Sequence, residues 1–475
     1  MHRRDFLNLS VATATLLLVG CSDSNTETNR VETVVADFTS PLAIPTLLEG
    51  ENINNVLHFD LNLQKGTYSF FEGTTTNTYG INGALLGPTL KIKNGDDVSL
   101  NYTNNLDEEI TMHGHGLHLP AIMDGAVHQL MKSGESWSSV FTVKQNACTS
   151  WYHPHTMGKT AEQVYKGLAG VIIIEDDDSL SLDIPKTYGS DDIPLVLQDK
   201  FFDSNQEIDY SPSMMEIMNG YNGDIFLING IVNPYVDVQA KEIRFRVLNG
   251  SNSSVYNLGF DDGRSFKQIA TDNSFLESPV SLSRVVLSPG ERAEIVVDFS
   301  DSLDKEIFLV DFYQNKNFMK VNVIASQTQQ TTTPQSLTSL TFPNIEDALN
   351  TRTFRLSGMR GEFYINNLSM DKDYINEVVP LNQLEVWEVI NEMNMDHNFH
   401  MHATHFVIAE RNGSSTNVPE NEKGYKDTVF IPPNERVKLL VKMTDYADEV
   451  NPYMYHCHFL EHDDAGMMGQ FSVST

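Results

Sequence analysis

The chain has 475 residues, enough for two to four domains with sizeable cores, and its 64 acidic and 32 basic side chains give a formal net charge of −32. A surface this acidic repels nucleic acid and anionic lipid headgroups, so it argues against a nucleic-acid partner and against electrostatic binding to a membrane. It would attract cations, although solubility is a sufficient reason for such a surface.

The N-terminal residues 1–21 have the pattern of an export signal. Arg3-Arg4-Asp5-Phe6-Leu7 and the apolar run that ends at Val19 resemble a twin-arginine signal, and Leu18-Val19-Gly20-Cys21 resembles a bacterial lipobox. We therefore predict export to the bacterial periplasm or cell envelope, with a lipid on Cys21 as the membrane anchor and residues 22–40 as a polar tether. The alternative is a plain signal peptide in which Cys21 has no role.

Two short sequence markers recur three times along the rest of the chain. The first occurs as Ile81-Asn82-Gly83, Ile228-Asn229-Gly230 and Ile365-Asn366-Asn367, and the second as Ser133-Gly134-Glu135, Pro289-Gly290-Glu291 and Pro433-Asn434-Glu435. Runs of alternating apolar and polar residues follow them, which is typical of β-strands. Three copies of one β unit are the simplest account, so we predict an all-β chain with units at residues 41–177, 178–330 and 340–475. A Gln- and Thr-rich tract at residues 326–338 reads as the linker before the third unit.

Ten of the 15 histidines fall in four short blocks, each of which contains a His-x-His pair. The blocks are His113-Gly114-His115, His153-Pro154-His155, His397-Asn398-Phe399-His400-Met401-His402 and His456-Cys457-His458 with His462. Residues two apart in a strand point to the same face, so each pair presents both rings to one site. Because no histidine lies between His155 and His397, the sites belong to the first and third units and should lie at their interface. The middle unit is then a spacer or a wall.

The last block adds sulfur ligands to the imidazoles. Cys457, His462 and Met467 offer a thiolate, a ring nitrogen and a weak thioether, and one further histidine would complete the ligand set of a blue-copper electron-transfer site. If this stretch begins as a strand, Cys457 faces one site while His456 and His458 face another. A zinc site is the weaker alternative, because zinc takes four closed ligands and has no use for an axial methionine.

These four blocks resemble the four copper motifs of the multicopper oxidase family, and in particular its bacterial laccase-like and copper-efflux branch. The stretches Trp151-Tyr152-His153-Pro154-His155 and Gly167-Leu168-Ala169-Gly170 add to the resemblance, which covers nearly all of the chain after about residue 45. It implies three consecutive cupredoxin-like Greek-key β-sandwich domains and four copper ions, one of type 1, one of type 2 and two of type 3.

The resemblance also implies a ligand role for each residue of the four blocks. His397, Cys457 and His462 correspond to the equatorial ligands of the type 1 copper, with Met467 as its axial ligand. The type 2 ligands correspond to His113 and His400. One type 3 copper corresponds to His115, His153 and His458, and the other to His155, His402 and His456.

Oxygen reduction consumes protons, so such a site needs an acidic relay. Asp124, in Met123-Asp124-Gly125, resembles the acid beside the type 2 copper in the family pattern, and Asp463 stands where relatives carry a glutamate. For both residues, the alternative is a solvated or helix-capping acid. The remaining residues of metal-ligand type read as an inert thiol, Cys148, and as structural histidines, His118, His128 and His405.

The implied function is an oxidase that takes single electrons from phenols, aromatic amines or Cu(I) at the type 1 copper and reduces dioxygen to water at the other three. A dedicated cuprous oxidase is the alternative, but that branch carries a Met-rich insertion in the third domain, and residues 357–391 here are short and not Met-rich. We therefore expect a type 1 edge that is open to bulky aromatic donors. A copper nitrite reductase and a cupredoxin scaffold of the cell envelope are disfavoured by the three repeats and the full ligand set.

Overall fold

The computed structural model describes Arg30, residues 37–326 and residues 332–475. The predicted export signal with its lipobox and most of the predicted tether lie outside these residues, as does part of the Gln- and Thr-rich tract. Among the described residues, no helix combines the length and the apolar character that a membrane span needs.

Six β-sheets pair face to face to form three sandwiches. After β1 (Ser40–Pro41), the first sandwich is formed by β2 (Leu47–Leu48), β3 (Glu51–Ile53), β4 (Val56–Tyr68), β5 (Thr76–Ile81), β6 (Thr89–Lys93), β7 (Asp97–Asn104), β8 (Met112–His115), β9 (Ser136–Thr142), β10 (Cys148–Pro154) and β11 (Gly170–Glu175). One sheet has the order β2-β6-β11-β10-β8, and the other has the order β3-β4-β7-β9 with β5 paired to β4.

The second sandwich is formed by β12 (Asp192–Phe202), β13 (Ile208–Asp209), β14 (Ile225–Ile228), β15 (Ile231–Val232), β16 (Pro234–Ala240), β17 (Glu242–Asn249), β18 (Tyr256–Phe260), β19 (Phe266–Ala270), β20 (Phe275–Leu282), β21 (Arg284–Leu287), β22 (Arg292–Asp298), β23 (Glu306–Asp311) and β24 (Lys316–Ser326). Its sheets have the orders β1-β16-β24-β23-β18-β21 and β15-β14-β12-β17-β22-β19-β20, with β13 paired to β12.

The third sandwich is formed by β25 (Asn350–Met359), β26 (Glu362–Ile365), β27 (Glu377–Pro380), β28 (Leu384–Asn391), β29 (His397–Met401), β30 (Phe406–Arg411), β31 (Thr428–Ile431), β32 (Arg436–Lys442), β33 (Asp448–His456) and β34 (Met468–Ser474). Its sheets have the orders β26-β25-β28-β32-β30 and β27-β34-β33-β29-β31.

The helices are short and lie in the connections between strands. They are α1 (Thr160–Tyr165), α2 (Asp177–Ser181), α3 (Met214–Asn219) and α4 (Leu460–Asp464), with single 3-10 turns at Ala121–Met123, Ile345–Asp347, Ser415–Asn417 and Glu420–Glu422. Three of the α-helices lie near the metal-ligand residues, because α1 follows the second histidine block, α4 contains His462, and α3 packs against α4.

Each sandwich buries the inward-facing side chains of its two sheets. In β4, Phe59, Leu61 and Leu63 are buried, whereas Asp60 and Asn62 between them are exposed, as the two-residue period of a strand requires. The predicted all-β fold of three sandwich units is confirmed. Their exact boundaries stay predictions, and β1, at the predicted start of the first unit, pairs in parallel with β16 of the second sandwich.

Four strands bring the histidine blocks to the contact between the first and third sandwiches. β8 and β10 are antiparallel neighbours with His113 opposite His153, and β29 and β33 are antiparallel neighbours with His400 opposite His456. Asp464, at the end of α4, stabilises this contact. Its carboxylate accepts hydrogen bonds from the Thr160 and Ala161 N–H groups at the start of α1.

Candidate metal centres

Cys457, His397 and His462 form a buried triangle in the third sandwich. The Cys457 Sγ atom is 3.5 Å from His397 Nδ1 and 3.7 Å from His462 Nδ1, and the two nitrogens are 3.2 Å apart. A point equidistant from the three atoms lies about 2 Å from each, close to metal–nitrogen and metal–sulfur bond lengths of roughly 2.0 and 2.3 Å. The triangle therefore fits one metal ion.

Met467 is held beside this triangle by its backbone. Its N–H donates to the His462 carbonyl at 2.9 Å and its carbonyl accepts from the Cys457 N–H at 3.1 Å. The Met467 side chain is fully buried in the core of the third sandwich, in the same cluster of residues as Cys457. The loop after α4 therefore holds Met467 beside Cys457 through the backbone, as the spacing predicts.

The other eight histidines of the four blocks are all buried and lie together. Their ring nitrogens form three groups, the first two of which share His115, and the ligand atoms in each group lie within 4.8 Å of one another: His113, His115 and His400; His115, His153 and His458; and His155, His402 and His456. The structure thus brings together the members of every predicted ligand set, with β8 and β10 from the first sandwich and β29 and β33 from the third.

Backbone carbonyls set the tautomer of four of these rings. The Nδ1–H groups of His113, His153, His400 and His456 donate to the carbonyls of Asp124, Pro154, Asp427 and Cys457 at 2.8–3.0 Å. A carbonyl can only accept, so each Nδ1 carries the proton and each Nε2 keeps its lone pair. Hydrogen bonds of this kind fix the orientation of metal-binding histidines.

Several buried ring nitrogens have no hydrogen-bond partner in the described part of the chain, and this observation fits a bound metal. Buried ring nitrogens without a hydrogen-bond partner among the described residues include His113 Nε2, His115 Nδ1, His153 Nε2, His155 Nδ1 and His400 Nε2. Leaving such a group unsatisfied costs about 1–3 kcal/mol each, and a fold that gathers several at one place stores a cost that ligation relieves. The donor set, imidazole with one thiol, suits copper.

Burial keeps the rings in the form that ligation needs. It lowers the pKa of His113, His153 and His456 well below the usual value and that of His155 to about 4, so the rings are neutral at physiological pH. Burial also raises the pKa of the Cys457 thiol to about 12. A thiolate at this position therefore requires a cation beside it.

The two predicted relay acids are both buried, so neither is a solvated acid. Asp124 Oδ2 is 2.6 Å from His402 Nδ1, and the carbonyl of Asp124 accepts from His113. Asp463 Oδ1 is 3.2 Å from His456 Nδ1, but that nitrogen donates to a carbonyl, and neither Asp463 oxygen has a hydrogen-bond partner among the described residues. Burial raises the pKa of Asp463 well above its usual value, with Asp464 as the second cause. The helix cap at α1 belongs to Asp464, so Asp463 is free to hold a proton.

Sequence reasoning missed Asp427, a third buried acid at this centre. Its Oδ1 atom is 2.9 Å from His115 Nε2, and both of its oxygens accept from Arg292. Burial alone would raise the pKa of Asp427, but Arg292 and His115 hold it well below its usual value. Asp427 directly precedes β31, and only the packing of the sandwiches brings it to His115.

The edge of His462 is covered by the second domain as well as by residues 357–391, where the ring of Phe363 stacks on that of His462 with centroids 4.0 Å apart. The Met218 carbonyl at the end of α3 is 3.4 Å from His462 Nε2, and the Met218 Sδ atom accepts from the Gly361 N–H at 2.9 Å. α3 starts with a capping box between Ser213 and Glu216, a spacing that is visible in the sequence. The open edge expected from the short segment 357–391 is not seen at His462, because α3 and Phe363 both contact its ring.

A cavity of about 480 Å³ lies next to α3 and reaches His462. Its lining includes Met218, Asn222, Tyr313, Met395, Asp396 and His462. No described residue donates a hydrogen bond to the half-buried Asp396 carboxylate. The cavity is large enough for a single aromatic ring and carries one carboxylate but no lysine or arginine.

The remaining residues of metal-ligand type lie elsewhere. His118 and His405 pack against each other, with ring centroids 4.7 Å apart, and His118 Nδ1 contacts Asp445. His128 contacts Gln470. Cys148 is buried, and burial raises the pKa of its thiol to about 12, which agrees with an inert thiol.

Comparison with known proteins gives consistent results along the chain. Three family profiles, each described as multicopper oxidase, match residues 62–179, 191–333 and 331–475. The protein named multicopper oxidase mco of Staphylococcus haemolyticus is 37% identical over 439 residues, which cover 91% of this chain and 92% of that protein. The protein named cell division protein FtsP of Xenorhabdus nematophila is 35% identical over 448 residues, with 91% and 92% covered.

Solved structures agree with the fold. The crystal structure of a laccase from Pediococcus acidilactici superposes with a TM-score of 0.85 at 34% sequence identity, covering 92% of this chain and 94% of that one. The three profile matches fall on the three sandwiches, and the relatives span almost the whole chain. With its buried histidine groups and its Cys-centred triangle, this chain is an oxidoreductase that belongs to the multicopper oxidase family, with three cupredoxin-like domains.

Proposed function

We propose that the protein oxidises small aromatic donors by one electron each beside His462 and reduces dioxygen to water within the histidine groups. Copper, when bound, supplies the one-electron redox chemistry: one ion in the triangle of Cys457, His397 and His462, and three among the eight other histidines. The balance is four donor molecules that lose one electron each, and one dioxygen that takes four electrons and four protons to give two waters.

The observation that carries this proposal is the position of Cys457 between His456 and His458. Its side chain belongs to the triangle, and its two neighbours belong to two different histidine groups. A single stretch of backbone therefore links the donor side to the oxygen side by covalent bonds. A zinc site or a simple copper-storage site would have no use for this arrangement.

The acids of the centre supply the protons. Burial raises the pKa of Asp463 well above its usual value and so favours its protonated form, and its position beside His456 allows it to release that proton towards the histidine groups. Asp124 contacts His402 and His113, and burial raises its pKa as well. Both acids therefore serve a reaction that consumes protons.

The cavity beside His462 supports phenols and aromatic amines as donors. It has room for a ring, and Asp396 offers an acceptor for a phenol O–H or an amine N–H. Its negative charge favours amines over anionic phenolates. The laccase named above is a relative in structure, which agrees with this class of donor.

Cu(I) is the second candidate donor, because two methionines line the same cavity and a third contacts His397. Met218 and Met395 line it, and Met393 Sδ is 3.2 Å from His397 Nε2. Thioethers are suitable ligands for Cu(I). A non-enzymatic role, such as a scaffold in the cell envelope, is disfavoured by the complete set of buried ligand atoms, although one relative is named for cell division.

The deciding experiment combines a metal assay with oxygen consumption. We expect about four copper ions per chain in the purified protein, a blue colour, and oxygen uptake with phenols and aromatic amines. Uptake is measured on a panel that also contains Cu(I) and Fe(II). A colourless protein without copper, or one that consumes no oxygen with any donor, would refute the proposal and favour the scaffold.

Cys457→Ser should abolish both the blue colour and the oxidation of donors, since the thiolate gives the colour and begins the electron path. The fold should survive, because the sandwich cores do not depend on one ligand. Absorption, oxygen uptake and thermal unfolding measure the three effects. Cys148→Ser is the matched control, a second buried cysteine whose replacement should leave the protein blue. A blue Cys457→Ser protein would contradict the role given to the triangle.

Asp463→Asn should lower kcat by about 10²-fold while the blue absorption remains, because a positioned proton donor contributes roughly that factor. The loss should grow as pH rises, since bulk protons become scarcer. Oxygen uptake across a pH series measures it.

Asp464→Asn is the control, because it removes the neighbouring carboxylate and one of the two acceptor oxygens at the start of α1 without changing Asp463. It should keep kcat near the wild-type value. If Asp463→Asn keeps wild-type kcat at every pH, Asp463 is not the proton donor.

The double change Met393→Leu and Met395→Leu should separate the two donor classes. Oxidation of phenols should survive, because leucine keeps the apolar volume, while oxidation of Cu(I) should fall by about tenfold with the loss of two thioethers. Steady-state rates with both donors give the ratio, and Met319→Leu in the core of the second sandwich is the control. If wild-type protein oxidises phenols only with excess copper present, a dedicated cuprous oxidase is the better description.

We also propose that the protein is exported and anchored in the cell envelope by a lipid on Cys21. Cys21→Ala should then move the protein from the membrane fraction to the soluble fraction, with unchanged specific activity, because the tether separates Cys21 from the catalytic domains. Fractionation and activity assays measure both. Sedimentation of the variant with membranes in high salt would show that Cys21 is not the anchor.

A further inference from the structure

The second domain has no histidine, yet one of its turns touches the histidine groups. The turn Ser288–Glu291 leads into β22, and a Cβ atom added at Gly290 would lie 3.0 Å from the ring of His458. Gly290 has a φ of 84°, in the left-handed region that favours glycine. Asn398 donates to the Pro289 carbonyl at 2.8 Å. The turn therefore packs directly against the group of eight histidines at His458.

Arg292, the first residue after this turn, is buried and uses all five of its N–H groups. Nε donates to the Thr149 carbonyl, and each terminal nitrogen donates to one carbonyl, of Gly290 or Asp272, and to one oxygen of Asp427. The two contacts with Asp427, at 2.7 and 2.6 Å, form a bidentate pair. Arg292 therefore joins all three domains at one guanidinium.

Asp427, which Arg292 holds, also contacts a histidine of the cluster. Its Oδ1 atom accepts from His115 Nε2 at 2.9 Å and from the Thr428 hydroxyl at 2.8 Å. With the proton of His115 on Nε2, the lone pair is on Nδ1, the atom that is buried without a partner among the described residues. Space for the pair depends on Gly116, where a Cβ atom would lie 2.6 Å from Asp427 and 2.8 Å from Arg292.

We propose that Arg292 is a positioning residue of the oxygen-reducing centre: by clamping Asp427 in a bidentate pair, it fixes the tautomer and the orientation of His115. The inference rests on the proposed copper cluster. It gives the second domain a function beyond spacing, since the arginine reaches the cluster from a domain that supplies no ligand. A carboxylate that orients a metal-binding histidine is itself held in place, because an unrestrained one would turn away from the ring.

The test uses the full-length, copper-loaded chain with Arg292→Gln and Arg292→Lys. Three signals are recorded per chain: total copper, the blue absorption of the Cys457 site, and the near-ultraviolet absorption of the paired coppers. We expect the ratio of near-ultraviolet to blue absorption to fall in Arg292→Gln, with copper lost to a chelator about tenfold more readily from the cluster. Arg292→Lys keeps the positive charge but not the two parallel N–H donors, so its absorption ratio should lie between those of the wild type and Arg292→Gln.

Arg246→Gln is the matched control. Arg246 is also a buried arginine of the second domain, paired with Asp192 and Glu294 and bonded to Thr149 of the first domain, but it contacts no histidine of the cluster. The Arg246→Gln variant should have a lower midpoint of thermal unfolding, as Arg292→Gln does, but an unchanged ratio of near-ultraviolet to blue absorption. The ratio does not depend on the fraction of folded protein, so a general loss of stability leaves it constant.

Each outcome decides the question. An unchanged ratio in both Arg292 variants, or an equal fall in Arg246→Gln, overturns the positioning role and leaves Arg292 as an ordinary interdomain contact. If Arg292→Gln does not accumulate, the ratio in Arg292→Lys decides alone. A wild-type protein that takes up no copper overturns this inference together with the proposed function. A copper-loaded wild type whose Arg292 variants have the same absorption ratio overturns this inference only.

Discussion

The geometry of the centre depends on the pleat of one short stretch of backbone. β33 ends at His456, but the alternation of side chains continues through Cys457 and His458, so the thiol faces one group of ligands and its two neighbours face the others. No loop of arbitrary conformation would keep the three side chains in these directions. The rest of the fold serves this stretch: β29 and β34 pair with β33 and hold it in register.

The cost of the arrangement is a group of neutral, partly unsatisfied imidazoles in the protein interior. The fold limits this cost by giving one nitrogen of most rings a fixed partner, usually a backbone carbonyl, so that the other nitrogen alone remains for a metal. Such rings need no reorganisation when an ion binds. The same burial that keeps them neutral also raises the pKa of Asp463, so one physical effect acts on both the candidate ligands and the proposed proton donor.

The second domain shapes both sides of the centre, although it contributes no histidine. Its helix α3 covers the edge of His462 and borders the cavity beside that residue. Its turn before β22 packs on His458, and Arg292 after the turn reaches Asp427. Without the second domain, His462 and His458 would lose these contacts and become accessible to water. A water-filled site would weaken every charge interaction within it.

The sequence by itself determined the fold class and the family and predicted a candidate ligand set, because these depend on local spacing. His-x-His pairs and alternating apolar residues report the two-residue period of a strand, which covalent geometry fixes before any packing occurs. The tertiary structure alone decided the roles of Asp427, Arg292 and α3, and it distinguished Asp463 from Asp464. Asp427 and His115 are 312 positions apart, and their contact is a property of how the sandwiches pack, which no spacing within a strand encodes.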